Sequence, residues 1–150
     1  MPQPQTKTRH GSASVVVAYS SLNQVLVAGA NILNIDALFF NTDRLGEFNT
    51  TTHRFTPRTA GWYLIEANIE AQLFAGAPLA CGGYITRNGV TVAVNNQTFT
   101  IIGWNFTSNP SIIIYLTTAQ WIDVRMTGFA LPNTVTVLAN NTRIRVCKIR

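Results

Sequence analysis

The chain has 150 residues, of which 47% are apolar and only 11% charged. That composition supports one packed core and excludes a disordered chain, and a domain of this size folds without metal or disulfide. The net charge of +5 suggests nucleic acid until it is placed: Lys7 and Arg9 lie in the first ten residues, Arg143, Arg145, Lys148 and Arg150 in the last ten, and the body sets five arginines against six carboxylates. A broad basic groove that tracks a phosphate backbone is therefore not expected.

Residues 1–12 are polar and read as an extended N-terminal arm, with Gln3, Gln5, Lys7 and Arg9 as its partner-binding residues. Pro2 and Pro4 keep such a segment extended, and two cations are too few to neutralise a packaged genome. No apolar segment follows until Val15–Val17, so a cleavable signal peptide is not expected. Nor does any apolar run approach the ~20 residues that cross a bilayer as a helix.

From residue 13 onward, short stretches of apolar alternation recur with no sustained helical period, which predicts an all-β domain over 13–150. Strands are predicted at 13–19, 25–28, 36–40, 53–56, 62–73, 81–87, 90–103, 111–117, 121–129 and 142–149. Turn residues separate many of them, among them Thr59-Ala60-Gly61, Asn109-Pro110 and Asn140-Asn141. Asn88-Gly89 between two β-rich runs is the strongest hairpin signal, because a tight primed turn needs positive φ at both central positions.

Segment 62–73 alternates cleanly, with Tyr63, Ile65, Ala67, Ile69, Ala71 and Leu73 on one face and Trp62, Leu64, Glu66, Asn68, Glu70 and Gln72 on the other. A solvent face would not begin with Trp and Leu, so another chain is expected to cover part of it. In 111–117, Ile112, Ile113, Ile114, Tyr115 and Leu116 leave neither face polar. Burial on both sides is predicted, one side in the core and the other against a second copy.

The parts of an active site are missing. His10 lies in the arm and His53 stands alone before a strand; Cys81 and Cys147 have no metal-ligand spacing and read as ordinary thiols. Glu66 and Glu70 share a strand face but read as structural charges partnered by arginine. Gly82-Gly83 has no helix behind it and so makes no phosphate cradle. Sequons begin at Asn49, Asn96, Asn105 and Asn140, as an Asn- and Thr-rich chain produces by chance. No catalytic residue, metal ligand or cofactor is predicted.

Three motifs fall in an order that resembles the jelly roll of the tumour necrosis factor and complement one-q globular-head superfamily. Arg54-Phe55-Thr56-Pro57 followed by Ala60-Gly61-Trp62-Tyr63-Leu64-Ile65 is similar to the family's lead into its long central strand. Ile85-Thr86-Arg87-Asn88-Gly89 is like the hairpin of phage and bacterial members. The run Ile114 to Val124 resembles a family turn, with Ala119-Gln120 where the family has Gly-Asp. The resemblance implies a ten-stranded jelly-roll β-sandwich, assembled as a homotrimer around 62–73, 111–117 and 142–149. It implies no shared enzymatic activity, and it places the last strand beside the central one, so that Arg143 and Arg145 offset Glu66 and Glu70.

The expected trimer interface is Leu64, Glu66, Asn68, Ile112, Ile114, Arg143 and Arg145. The expected function is non-enzymatic, a trimeric decoration or cement protein on a phage capsid, held by residues 1–12 to the major capsid protein or another virion protein. Direct contact with nucleic acid or membrane is not expected. Two alternatives stand beside it: a receptor- or glycan-binding head of a phage tail or bacterial appendage, with Trp104 and Phe106 at its apex, and a secreted ligand like tumour necrosis factor.

Overall fold

The computed structural model describes residues 14–75, 79–99, 103, 105–128 and 134–149, and the side chains of all of these except 74, 75, 79, 80 and 97–99. The arm residues Gln3, Gln5, Lys7 and Arg9, and the apical candidate Trp104, lie outside them. Among the described residues there are fourteen strand segments and no helix. In chain order they are β1 (Val15–Tyr19), β2 (Gln24–Val25), β3 (Gly29–Ile32), β4 (Ala37–Leu38), β5 (Phe48–Asn49), β6 (Arg54–Phe55), β7 (Gly61–Ala75), β8 (Leu79–Arg87), β9 (Val90–Phe99), β10 (Asn105–Ser108), β11 (Ser111–Leu116), β12 (Ile122–Gly128), β13 (Thr134–Val137) and β14 (Arg143–Lys148).

They form two antiparallel sheets packed face to face. The eight-stranded sheet runs β2-β13-β7-β14-β1-β4, with β10 and β11 on the other edge of β7; the six-stranded sheet runs β5-β6-β12-β8-β9, with β3 also on β12. The organiser is β7, whose fifteen residues outlast any single partner. Along one edge β14 pairs residues 63–68 and β13 pairs 71–75; along the other β11 pairs 61–66 and β10 pairs 69–72. Both gaps are filled. Pro110 O accepts from Ala67 N at 3.0 Å, and the buried Thr142 hydroxyl accepts from Glu70 N at 3.2 Å while Leu138 N donates to Glu70 O at 2.8 Å.

The alternation predicted for 62–73 holds: Tyr63, Ile65, Ala67, Ile69, Ala71 and Leu73 are buried. They meet Phe55, Ile85, Ile122, Val124 and Met126 of the opposite sheet in one core. The lead-in motif has a packing reason, since Phe55 and Tyr63 stack edge to face at 5.6 Å and the Tyr63 hydroxyl donates to Thr59 O at 2.6 Å. Asn88 and Gly89 have φ of 51° and 82° between Arg87 and Val90, which makes the two-residue primed hairpin that the sequence predicts.

Elsewhere the boundaries move. The stretch 90–103 does not run as one strand; β9 ends at Phe99 and β10 begins at Asn105. The strand placed at 25–28 is replaced by β2 and β3, one in each sheet. β13 was not anticipated, although Thr134 to Val137 is a β-branched run and buries Val135 and Val137. The Ala119-Gln120 turn closes through its own side chain, with Thr117 N donating to Gln120 Oε1 at 2.9 Å.

One correction bears on the site. The strand 111–116 has one face on the core and one exposed face, and the residues on each are the reverse of the expectation, which puts Ile112 and Ile114 on the outer side. Ile112 lies opposite Ile65 and Ile114 opposite Tyr63, so both point toward the core and pack on it, whereas Ile113 and Tyr115, opposite Leu64 and Trp62, face outward at 58% and 46% exposure. Period-two alternation allows two assignments, and an all-apolar run hides which one holds.

Candidate functional site

The outer face of the eight-stranded sheet carries most of the residues singled out above. Register sorts its side chains into rows. Val15, Cys147, Leu64 and Ile113 lie side by side across β1, β14, β7 and β11. Next to them, at the end of the sheet, Trp62 stacks edge to face on Tyr115 at 5.7 Å, and Ile149 N donates to Trp62 O at 2.8 Å. In the other direction come Val17, Arg145, Glu66 and Ser111, then Tyr19, Arg143 and Asn68.

The face is thus apolar at one end and polar at the other. At the apolar end Val15, Trp62, Ile113, Tyr115 and Ile149 are each more than a third exposed. Isolated exposed apolar side chains are ordinary, but these five are grouped at one end of one sheet face. The polar end is a shallow groove of about 680 Å³ lined by Val17, Glu66, Asn68, Pro110, Ser111, Arg143 and Arg145. There Arg145 Nη1 lies 3.7 Å from Glu66 Oε2, with side chains 61% and 44% exposed. Asn68 Nδ2 donates to Asn141 O at 2.6 Å.

Of the seven residues predicted for an interface, Leu64, Glu66, Asn68, Arg143 and Arg145 share this face, and Ile112 and Ile114 do not. Ile113 and Tyr115 take their place. Counting back from Leu116, which is fully buried, would have assigned the parity. The expected pairing of glutamates with arginines is met once: Arg145 meets Glu66, while Glu70 accepts instead from Asn105 Nδ2 at 2.8 Å. Phe106, read as an apical aromatic, sits opposite Ala71 and packs on the core.

The remaining candidates for chemistry are dispersed. His53 Nδ1 lies 3.0 Å from Ile35 O. Cys81 and Cys147 are both free thiols, and burial pushes Cys81 up to about 12, so it stays protonated and unreactive. Gly82 and Gly83 lie inside β8, where a Cβ on Gly83 would meet Ile69 Cδ1 at 2.3 Å. Close packing explains the pair. Among the described residues no three His, Cys, Asp or Glu side chains gather as metal ligands.

No family model matches the chain, and neither does any curated protein. Solved structures do. Eiger, a tumour necrosis factor from S. frugiperda, superposes with a TM-score of 0.69 at 12% identity, over 92% of this chain and 93% of that one. The globular domain of zebrafish complement 1qA gives 0.65 at 11% identity over 91% and 98%, and murine APRIL at pH 8.0 gives 0.66 at 12% over 91% and 99%. The fold is the TNF and C1q jelly roll. At these identities the likeness establishes architecture and leaves function to the residues. In this jelly roll β7, β14, β1 and β11 carry the amphipathic outer face, and the six-stranded sheet closes the other side of the core.

Proposed function

We propose that the chain is a non-enzymatic jelly-roll head that acts as a homotrimer, its three copies meeting through the outer face of the eight-stranded sheet. The observation that carries this reading is the contiguous apolar end formed by Trp62, Leu64, Ile113, Tyr115 and Ile149 beside the Arg145–Glu66 pair. Burying such side chains is worth ~1.5–3 kcal/mol each, and a closed symmetric assembly repeats the contact three times.

Light scattering at micromolar concentration should give three times the chain mass. Ile113→Asp should give a folded monomer, because it places a charge in the apolar contact while its side chain faces away from the core. A wild-type monomer would reject the assembly.

The finer form of the proposal sets this trimer on a phage capsid, with residues 1–12 fastening it to a capsid protein. Its support is the polar, proline-containing sequence of the arm and the charged ends of the chain. Three arms per trimer would raise the strength of attachment through effective concentration. Deleting residues 1–12 should leave an assembly of three shortened chains with unchanged melting behaviour and abolish its retention on particles. Equal retention of the truncated trimer would remove the arm, and with it the capsid setting.

A further inference from the structure

Residues 20–35, which hold β2 and β3, form a corner where the chain passes from the eight-stranded sheet to the six-stranded one. This corner is far from the apolar end assigned to the trimer. Val25 lies opposite Thr136 and Thr136 opposite Gln72, and Gln72 is removed from Trp62 by about 33 Å of extended β7. Leu22, Val25 and Val27 are between 63% and 71% exposed. Ala28, Gly29 and Ala30 are exposed beside them, and within 25–30 only Leu26 turns into the core.

The polar side chains of residues 20–31 are all used to hold the segment in place. The Ser20 hydroxyl donates to Leu22 O, the Ser21 amide and hydroxyl both donate to the Asp36 carboxylate, and Asn23 Oδ1 accepts from Ala139 N, each at 2.7 Å. Gln24 donates to Ile32 O at 3.0 Å and accepts from Asn34 N at 2.9 Å. Asn31 closes the next turn, accepting from Val27 N and donating to the carbonyls of Val27 and Gly29. Leu26 N donates to Val135 O at 3.0 Å. The segment spends its hydrogen bonds on itself and shows methyl groups to the outside.

The corner is also free of charge. No charged residue occurs in 20–35, 71–86, 88–122 or 126–142, the stretches that supply β2, β3 and β13 with the adjoining ends of β7 and β12. The charges nearest in register are engaged elsewhere. Asp36 is taken by Ser21, and Glu70, two residues before Gln72, accepts from Asn105 Nδ2 at 2.8 Å. Arg125, opposite Ile32, donates to Asp123 from Nε at 2.9 Å and from Nη2 at 3.0 Å. Asp123, whose side chain has no exposed surface, also accepts from Thr86 Oγ1 and keeps Arg54 in ion-pair range at 3.9 Å, while the Arg54 guanidinium stacks 3.8 Å from the centre of the Trp121 ring.

We propose that this corner docks on a neutral lipid bilayer, inserting Val25 and Val27, flanked by Leu22, below the headgroups. Hydrocarbon offers no hydrogen bonds, so a segment enters it only with its own polar groups already paired. Residues 20–31 meet that condition. A protein partner would be held in register by polar contacts around an apolar centre, and this segment has no polar side chain to spare for them. Without cations nearby, the corner has no reason to favour anionic lipid. A second argument rests on the proposed trimer: a threefold axis sets three equivalent corners at one height, where they can meet one flat surface and multiply its hold. Helical spans and basic runs, whose absence made membrane contact unexpected from the sequence, do not report on a corner of this kind.

The test is flotation of the full chain with phosphatidylcholine vesicles at low and high salt. The wild-type chain should float with the vesicles to the same extent in both, because no charge contributes. Val25→Asp together with Val27→Asp should cut the floated fraction about tenfold or more, with melting and light-scattering mass unchanged, since both side chains face outward. Val94→Asp, at an exposed valine of β9, should float like the wild type. Ile113→Asp separates this proposal from the trimer: the monomer should float several-fold less, and if the wild-type chain is itself monomeric the trimer fails while the loss in the paired variant still establishes the corner. Absence of flotation, undiminished flotation of the paired variant, or an equal loss with Val94→Asp would overturn the proposal. So would flotation that needs phosphatidylglycerol and fades with salt, which would assign it to the basic ends of the chain. A fall in mass with the paired variant would make the corner a contact between copies instead.

Discussion

Asp123→Ala is expected to destabilise the chain by about 3–5 kcal/mol in urea unfolding, because it strips the partner from a covered charge and leaves Arg125 with unmet donors. The contrast is Glu66→Ala. Its partner Arg145 is 61% exposed and the pair is 3.7 Å apart, so in the dissociated chain the loss should stay within about 1 kcal/mol. Both changes remove one carboxylate from one arginine; only the environment differs. Equal destabilisation by the two would mean that Asp123 is wetter, or Glu66 more enclosed, than the side-chain positions say. If the proposed trimer forms, Glu66→Ala should instead reduce association, which makes the pair a reporter of whether that face is covered.

Gly128→Ala is expected to cost about 3 kcal/mol or more. A Cβ at this position would stand 1.9 Å from Val27 O and 2.8 Å from both Leu26 Cβ and Asn31 Nδ2. The first of these is backbone and cannot rotate away. Asn31 already fastens the 27–31 turn, accepting from Val27 N at 3.1 Å and donating to the carbonyls of Val27 and Gly29 at 2.8 Å. Overpacking would therefore push the whole turn off β12 and open the core at Leu26. Gly29→Ala, directly opposite in register, is the control: nothing lies within 4 Å of its Cβ position, so only the positive φ of 98° opposes it, at about 1–2 kcal/mol. A loss at Gly128 no larger than that at Gly29 would show that the 27–31 turn gives way to the added Cβ instead of resisting it.

The sequence patterns were most informative where alternation met polar residues. Segment 62–73 mixes Glu66, Asn68, Glu70 and Gln72 with apolar partners, and its two faces were legible residue by residue. Segment 111–117 offers no such contrast, and its parity was misassigned because Ile112 and Ile113 are chemically identical. The pairing of Arg145 with Glu66 was legible through the resemblance, which supplied the neighbour relation of β14 and β7. The Arg54–Trp121–Asp123 cluster was not legible. Its members come from β6, β12 and the residue just before β12, and it is the sheet order that brings them together. β5 and β6, two residues each, are too short for any periodicity to register.

The pairing of β1 with β14 bears on how the domain responds to force. Val15 sits opposite Cys147 and Tyr19 opposite Arg143, so the chain enters and leaves the sheet at the same end of two neighbouring antiparallel strands. Tension drawn between residues 14 and 149 would peel these strands apart like a zipper, loading one rung of the ladder at a time. Ladder bonds lie perpendicular to antiparallel strands, so such a pull acts along each bond in turn instead of shearing all of them together. A domain wired this way yields at low load when tethered by both ends, and withstands far more when it is held by one end and by its outer face.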